Sequence, residues 1–232
     1  MIQANCRERF TADDFDFVVR ILSRSERDSV NLVSLLTDGE ARDSILDHPQ
    51  LLDSILADGA PLNISPQLYF YILIRHVLKE TGLNDRAVSD YLASLLETFS
   101  RTARMRSPAD GNSNPVQYVS DMLIALQKAS PAQSFLIRAH VGNYSLFITG
   151  MFQSTVQSRS QRGAPDLSFY EEVGRANFKA VSRHELARSC ALTNIFEALA
   201  DQFHEVRLAL NRLADSLVHL DDSHTPNYPL LG

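Results

Sequence analysis

Three side chains late in the chain have the types and spacing of metal ligands. Glu197, Asp201 and His204 stand at i, i+4 and i+7, which puts them on one face of a helix. Asp201 and His204 repeat half of the carboxylate–histidine pairing used by di-iron helical bundles. Such a centre needs a second Glu-x-x-His and further carboxylates aimed inward, and the chain holds no second copy. The apolar positions around the set decide the matter. Phe196, Leu199, Phe203, Val206, Leu210, Leu213, Leu217 and Leu220 recur in alternating steps of three and four. The three polar residues fall opposite this seam, so the sequence assigns them to a solvated face and predicts no metal site.

A second kind of chemistry is offered by polar residues inside apolar stretches. Residues 139–158 contain no Asp, Glu, Lys or Arg, and Arg138, His140, Asn143 and Tyr144 lie at or inside that stretch. Arg75 and His76 close the similarly apolar "LYFYILI". Lining a cavity, Arg75 or Arg138 could face the charge of a small anionic ligand, and His140 beside Tyr144 could move a proton. The competing reading is that these groups satisfy one another and nearby helix ends in the core. The candidate ligand pocket is therefore Arg75, His76, Arg138, His140, Asn143 and Tyr144. No catalytic residue is assigned. The chain has no nucleophile elbow, P-loop, Cys-x-x-Cys, His-Glu-x-x-His or dinucleotide fingerprint, and no cofactor is predicted. Cys190 reads as a buried structural thiol.

The elements that would hold these residues are helical. Trp is absent and helix formers dominate. Thr11 or a following Asp opens the first helix and Ser25 the second; two shorter segments end near His48-Pro49 and at Asp58-Gly59, and Ser65-Pro66 then opens a helix that Gly82 ends. Asn84 or Asp85 starts a helix running to about Arg104. Asn114-Pro115 starts another, and Ser130-Pro131 begins a long one that carries the uncharged stretch. Ser168 with Glu171, and Ser182 with Glu185, fit capping boxes. Glu171 and Arg175 have the spacing of an ion pair. "LVSLLTDG" (residues 32–39) and "LLDSILADG" (residues 51–59) align at an offset of twenty, and each ends in a Gly suited to the left-handed position after a helix.

The uncharged stretch is too polar to cross a bilayer, with His140, Asn143, Gln153 and Gln157 among its residues. Its apolar bulk lies on almost every side, as in "LYFYILI", and a helix apolar all round is buried all round. Two central helices, Pro66–Lys79 and Pro131–Val156, are expected. A Gly150→Leu change should not be tolerated there. The fold class is all-α: a helical bundle of about nine helices around those two. Residues 1–60 form an acidic helical part, 61–221 the main bundle and 222–232 a tail, together one domain.

Charge and cysteine content narrow the partners. Residues 1–60 hold twelve acidic and six basic side chains; the other 172 are balanced, giving −6 in all. Nucleic acid requires a basic surface and is disfavoured. Two cysteines make no disulfide framework, and the opening residues hold no apolar leader, so a reducing cytoplasm is expected. The leading function is a soluble binding protein whose partner is another protein or a second copy of itself; the seam of the last helix reads as a buried bundle stripe, with homodimerisation through it as the alternative. The alternative is a small-molecule sensor or enzyme with its pocket between the two central helices.

Overall fold

The computed structural model describes residues 1–57, 63–105 and 115–221, with the side chains of 102–105, 115–118 and 218–221 set aside. The described residues form thirteen α-helices and no strand. The helices are α1 (Ala12–Leu22), α2 (Glu26–Leu36), α3 (Gly39–Leu46), α4 (Pro49–Leu56), α5 (Pro66–Glu80), α6 (Arg86–Met105) and α7 (Pro115–Ala125). They continue with α8 (Pro131–Met151), α9 (Gln153–Ser160), α10 (Leu167–Ser182), α11 (Glu185–Ser189), α12 (Thr193–Asp201) and α13 (Phe203–Asp221).

Local chemistry explains most of the starts. Thr11 accepts from the Asp14 amide and Asp14 returns a bond to the Thr11 amide, a complete capping box. Ser25, Asp38, Ser65 and Ser130 each accept from the amide three residues on. Pro66 and Pro131 occupy the first helical positions, where a missing N–H costs nothing. Gly82 ends α5 with φ of 82°, a conformation that Gly adopts without a Cβ clash.

Other local expectations are corrected. Gly39 does not end α2; it is the first residue of α3, capped by Asp38. Its supposed counterpart, Gly59, lies outside the described residues, as does most of the Ser107–Pro115 turn. Of the two caps open for α10, Asp166 or Ser168, it is Asp166 that accepts from the Phe169 amide, at 3.0 Å, so the Ser168–Glu171 box is not formed. Ser182 closes α10, and His184 caps the next helix through Nδ1.

The rise from nine helices to thirteen comes largely from breaks inside predicted helices. The helix predicted through Val156 stops at Met151, where Phe152 takes φ −129° and ψ 40°. The last helix is interrupted at Gln202, with φ −114° and ψ 28°. Neither break has a proline. At the first, the Asn211 amide of α13 donates to the carbonyls of Thr149 and Gly150, satisfying acceptors at the end of α8.

Both expected central helices are buried. Every residue from Leu68 to Arg75 is buried, as is every residue from Ser145 to Met151. The α5 helix packs on α6 and α13, and α8 on α10 and α13. A third helix joins them: α6 is buried continuously from Val88 to Glu97. Close approach at α8 uses its glycines. A Cβ on Gly150 would lie 2.7 Å from Leu210 Cβ, and one on Gly142 would lie 2.8 Å from the Phe178 ring. One continuous apolar cluster runs from Ile2 and Cys6 through α5, α6 and α8 to Ala214.

The heptad seam of α12 and α13 faces this core. Phe196, Leu199, Phe203, Val206 and Leu210 have no exposed surface, and the flanking Ile195, Ala200, Ala209 and Ala214 are buried with them. Self-association through that seam would require it to be open, so that route is corrected. No described helix is long and apolar enough to cross a membrane.

Candidate functional site

The six pocket candidates do not form one site. The α5 and α8 helices pack mainly on α6 and α13 rather than on each other, so the candidates divide into two groups.

On α5, Arg75 is 2 % exposed and held by an acid. Its Nε and Nη2 donate to the two Asp47 carboxylate oxygens at 2.7 and 2.9 Å, and Nη2 also donates to Asn84. Lys79 and Arg86 reach the same carboxylate at 3.5 and 3.4 Å. Burial pushes Asp47 up, but the Arg75 hydrogen bonds, with the charges of Arg75, Lys79 and Arg86, hold it below the ordinary carboxylate range. Arg75 Nη1 is buried without a partner among the described residues. His76 turns away to solvent and meets Glu80 at 3.2 Å.

On α8, Asn143 accepts from the Tyr91 hydroxyl of α6 at 2.9 Å. Burial pushes that phenol up, so it remains a neutral donor at physiological pH. Arg138 donates to Asn177 of α10 at 3.2 Å, and Asn177 in turn donates to the Val173 carbonyl. His140 stacks on Phe99, with centroids 5.8 Å apart and planes 24° from parallel. Tyr144 packs against the smaller apolar cluster of Val119, Val141, Ile148, Val156 and Tyr170.

Two polar clusters lie outside the sequence-based set. The first joins residues 1–10 to α6. Arg7 donates from its backbone amide, Nε and Nη2 to Asp90 at 3.0, 2.9 and 2.7 Å, and from Nη1 to Asp43 at 2.6 Å. Arg9 pairs with Glu97, which also accepts from Gln67 at 2.8 Å and from Arg101 at 2.9 Å. Asp90 and Glu97 are 4 % and 3 % exposed, nearly full burial for two acids. Burial holds Asp90 above the ordinary range even against the three Arg7 donors.

The second cluster centres on Glu171 of α10. It pairs with the buried Arg207 and, at 3.1 Å, with His204, both on α13. Arg207 also donates to Gln153 and Asn211. The expected Glu171–Arg175 pair is not formed, because Arg175 donates to the Ala200 carbonyl instead. Of the three residues with metal-ligand spacing, His204 is thus an ion-pair partner and Asp201 pairs with Lys179 at 3.2 Å. No three His, Cys, Asp or Glu side chains converge on a cation position among the described residues. Cys190 is exposed, contrary to the buried thiol expected.

A sequence signal for the first cluster existed. Asp90, Ser94 and Glu97 recur at helical spacing inside an otherwise apolar and small-residue run, "AVSDYLASLLETF". Two acids on the inner face of a helix require partners from elsewhere. No signal of this kind marked Arg7, which acquires its role only by lying across that face. No protein-family model, curated protein or solved structure matches this chain, so its own geometry is the ground for a functional reading.

Proposed function

We propose that this is a soluble helical protein that works by binding another protein chain, a second copy of itself included. The observation that carries this reading is the surface of α2. Val30, Val33 and Leu35 are 70, 55 and 49 % exposed on a helix that buries only Leu36. Val30 and Val33 share one face one turn apart, with Leu35 further round the helix, and apolar side chains grouped on an exposed face favour association. They lie in the acid-rich residues 1–60, so the fitting partner is apolar with a basic rim. The α1–α4 part and the larger bundle act as one unit in this reading. A reducing cytoplasm suits its two free thiols.

A small-anion site is the second reading. Arg75 Nη1 and the Tyr71 hydroxyl are both buried without partners among the described residues, one turn apart on α5. Less supports it, because both atoms are closed off and Arg75 is already neutralised by Asp47.

Native mass spectrometry with elemental analysis of freshly purified protein separates the two. The expected result is the bare chain or whole multiples of 26.0 kDa. Extra mass that is lost on denaturation would overturn the protein-binding reading in favour of the small ligand.

A further inference from the structure

The first ten residues are attached to the helices differently from the rest of the chain. Their regular structure is one 3-10 turn, Arg7–Arg9, and this arm is held largely by side chains. Ile2 and Cys6 are buried, and Phe10 packs edge-on against Tyr71 at 5.8 Å. The Cys6 thiol donates to the Gln67 carbonyl at 3.3 Å. Arg7 and Arg9 supply the ionic contacts, to Asp90 and Asp43 and to Glu97.

What lies beneath the arm is an acidic groove between α5 and α6. Asp90, Ser94 and Glu97 share one face of α6, and Gln67 and Tyr71 line the α5 side. The arm does not satisfy everything it covers. The Tyr71 hydroxyl is buried and has no hydrogen-bond partner among the described residues. The Tyr71 ring lies under the Arg7 guanidinium, 5.6 Å from its centroid. Closing the arm therefore strips water from two carboxylates and leaves the Tyr71 hydroxyl beneath it unpaired. The unpaired buried hydroxyl opposes the gains from Ile2, Cys6 and the arginines. A short segment with few backbone bonds and such opposing terms belongs to the low-stability end of local openings.

We infer that residues 1–10 are a releasable latch over an acidic groove, and that the groove accepts a basic Arg-x-Arg segment of a partner chain, wound in the same single 3-10 turn, in its place. The inference rests on the protein-binding reading and adds to it a surface other than that of α2. The arm itself is the template for the partner: an apolar residue and two arginines on alternate positions, meeting Asp90 and Glu97. Opening the latch before the helices unfold leaves that surface intact for exchange.

Cys6 reports the latch directly. In the closed state burial, with the nearby Asp90 charge, pushes its thiol up to about 12, so it is neither accessible nor ionised. In the full chain carrying Cys190→Ser, Cys6 is the remaining thiol, and its labelling by a chromogenic disulfide reagent measures opening. The expected rate does not change with denaturant at concentrations well below the unfolding transition. Raising salt from about 0.05 to about 0.5 M should increase it, since exposed ends of the ion pairs are screened. Replacing Arg7 and Arg9 by Gln should speed labelling on the order of tenfold, with the far-UV spectrum unchanged.

A peptide of residues 1–10 carrying Cys6→Ser should also speed labelling, by occupying the groove whenever the arm leaves. The same peptide with Arg7→Gln and Arg9→Gln should not. Labelling that tracks global unfolding overturns the latch, and local opening that the arginine peptide does not affect overturns the groove as a partner site. Neither result touches the native-mass test of the protein-binding function. A co-purified small molecule would sink that function while leaving the Cys6 kinetics as they are.

Discussion

Asp47 receives three cations, and its position explains why Arg75 can be almost wholly buried. An arginine in the core is tolerable when a carboxylate meets it in two parallel bonds. Removing the acid leaves the guanidinium uncompensated, so Asp47→Asn should cost about 3 kcal/mol at neutral pH. The sign of the pH effect follows from the lowered carboxyl. Stabilisation by Asp47 is fully present above its ordinary value of 3.8 and is lost as pH falls through the still lower folded-state value. Urea titrations of both proteins should therefore differ at pH 7 and converge on acidification below 3.8. A constant gap at all pH values would show that Asp47 acts through packing and not through charge.

The Glu171 cluster makes the opposite pair of expectations at two neighbouring residues. His204 is 54 % exposed at its side chain and shares Glu171 with a better partner. His204→Ala should change stability by less than about 1 kcal/mol. Arg207 is 7 % exposed and ties Glu171, Gln153 and Asn211 together. Arg207→Met should cost about 3 kcal/mol, because Glu171 would lose its main counter-charge in a partly buried site. Thermal denaturation of the two variants side by side checks the ranking; an equal loss would mean that the exposed histidine carries the cluster.

At the scale of elements, the contact between α8 and α13 is set by how near two backbones can come. Leu210 occupies the space where a side chain on Gly150 would begin. The nearest atom is Leu210 Cβ, which cannot swing away as a side-chain end could. Gly150→Ala should destabilise by about 1–3 kcal/mol despite the better helix propensity of Ala. Gly150→Leu should cost more, and a wild-type melting temperature in that variant would contradict the close α8–α13 crossing. The same crossing explains the break at Phe152. Asn211 satisfies the freed carbonyls of Thr149 and Gly150, so ending the helix there leaves fewer acceptors unpaired. Asn211→Leu should thus loosen α8's last turn, visible as faster amide exchange at residues 149–156.

The larger of the two apolar clusters runs from Ile2 to Ala214 and joins α1–α4 to the helices beyond. Far-UV dichroism and tyrosine fluorescence should accordingly report coincident urea transitions for the helices of residues 12–57 and those beyond. Separate transitions would divide the acidic part from the larger bundle as an independent unit. Local release of the first ten residues is compatible with either outcome, because they contribute almost no helix.

Much of this architecture was legible without a structure, and the reason is range. A cap, a first-position proline or a terminal glycine acts within about four residues, so Thr11, Ser25, Ser65-Pro66, Gly82 and Ser130-Pro131 identify helix ends by local chemistry. All-round apolar composition likewise marked α5 and α8 as central, since burial follows from what every face carries. The third buried helix, α6, is marked only by the apolar run around Asp90 and Glu97, and the charges themselves imitate a solvated face until their partners are known. Those partners come from 83 and 88 residues away, as Asp47 comes to Arg75 from 28 residues away. Spacing along one helix cannot encode a contact that depends on how several helices cross. By itself the sequence determined an all-α chain with two central helices and a polar face on its last helix. The tertiary structure alone decided which buried polar groups meet, where α8 and the last helix break, and that an arginine arm closes over the acids of α6. Pairing of buried charge is a property of the assembled core, not of any segment that enters it.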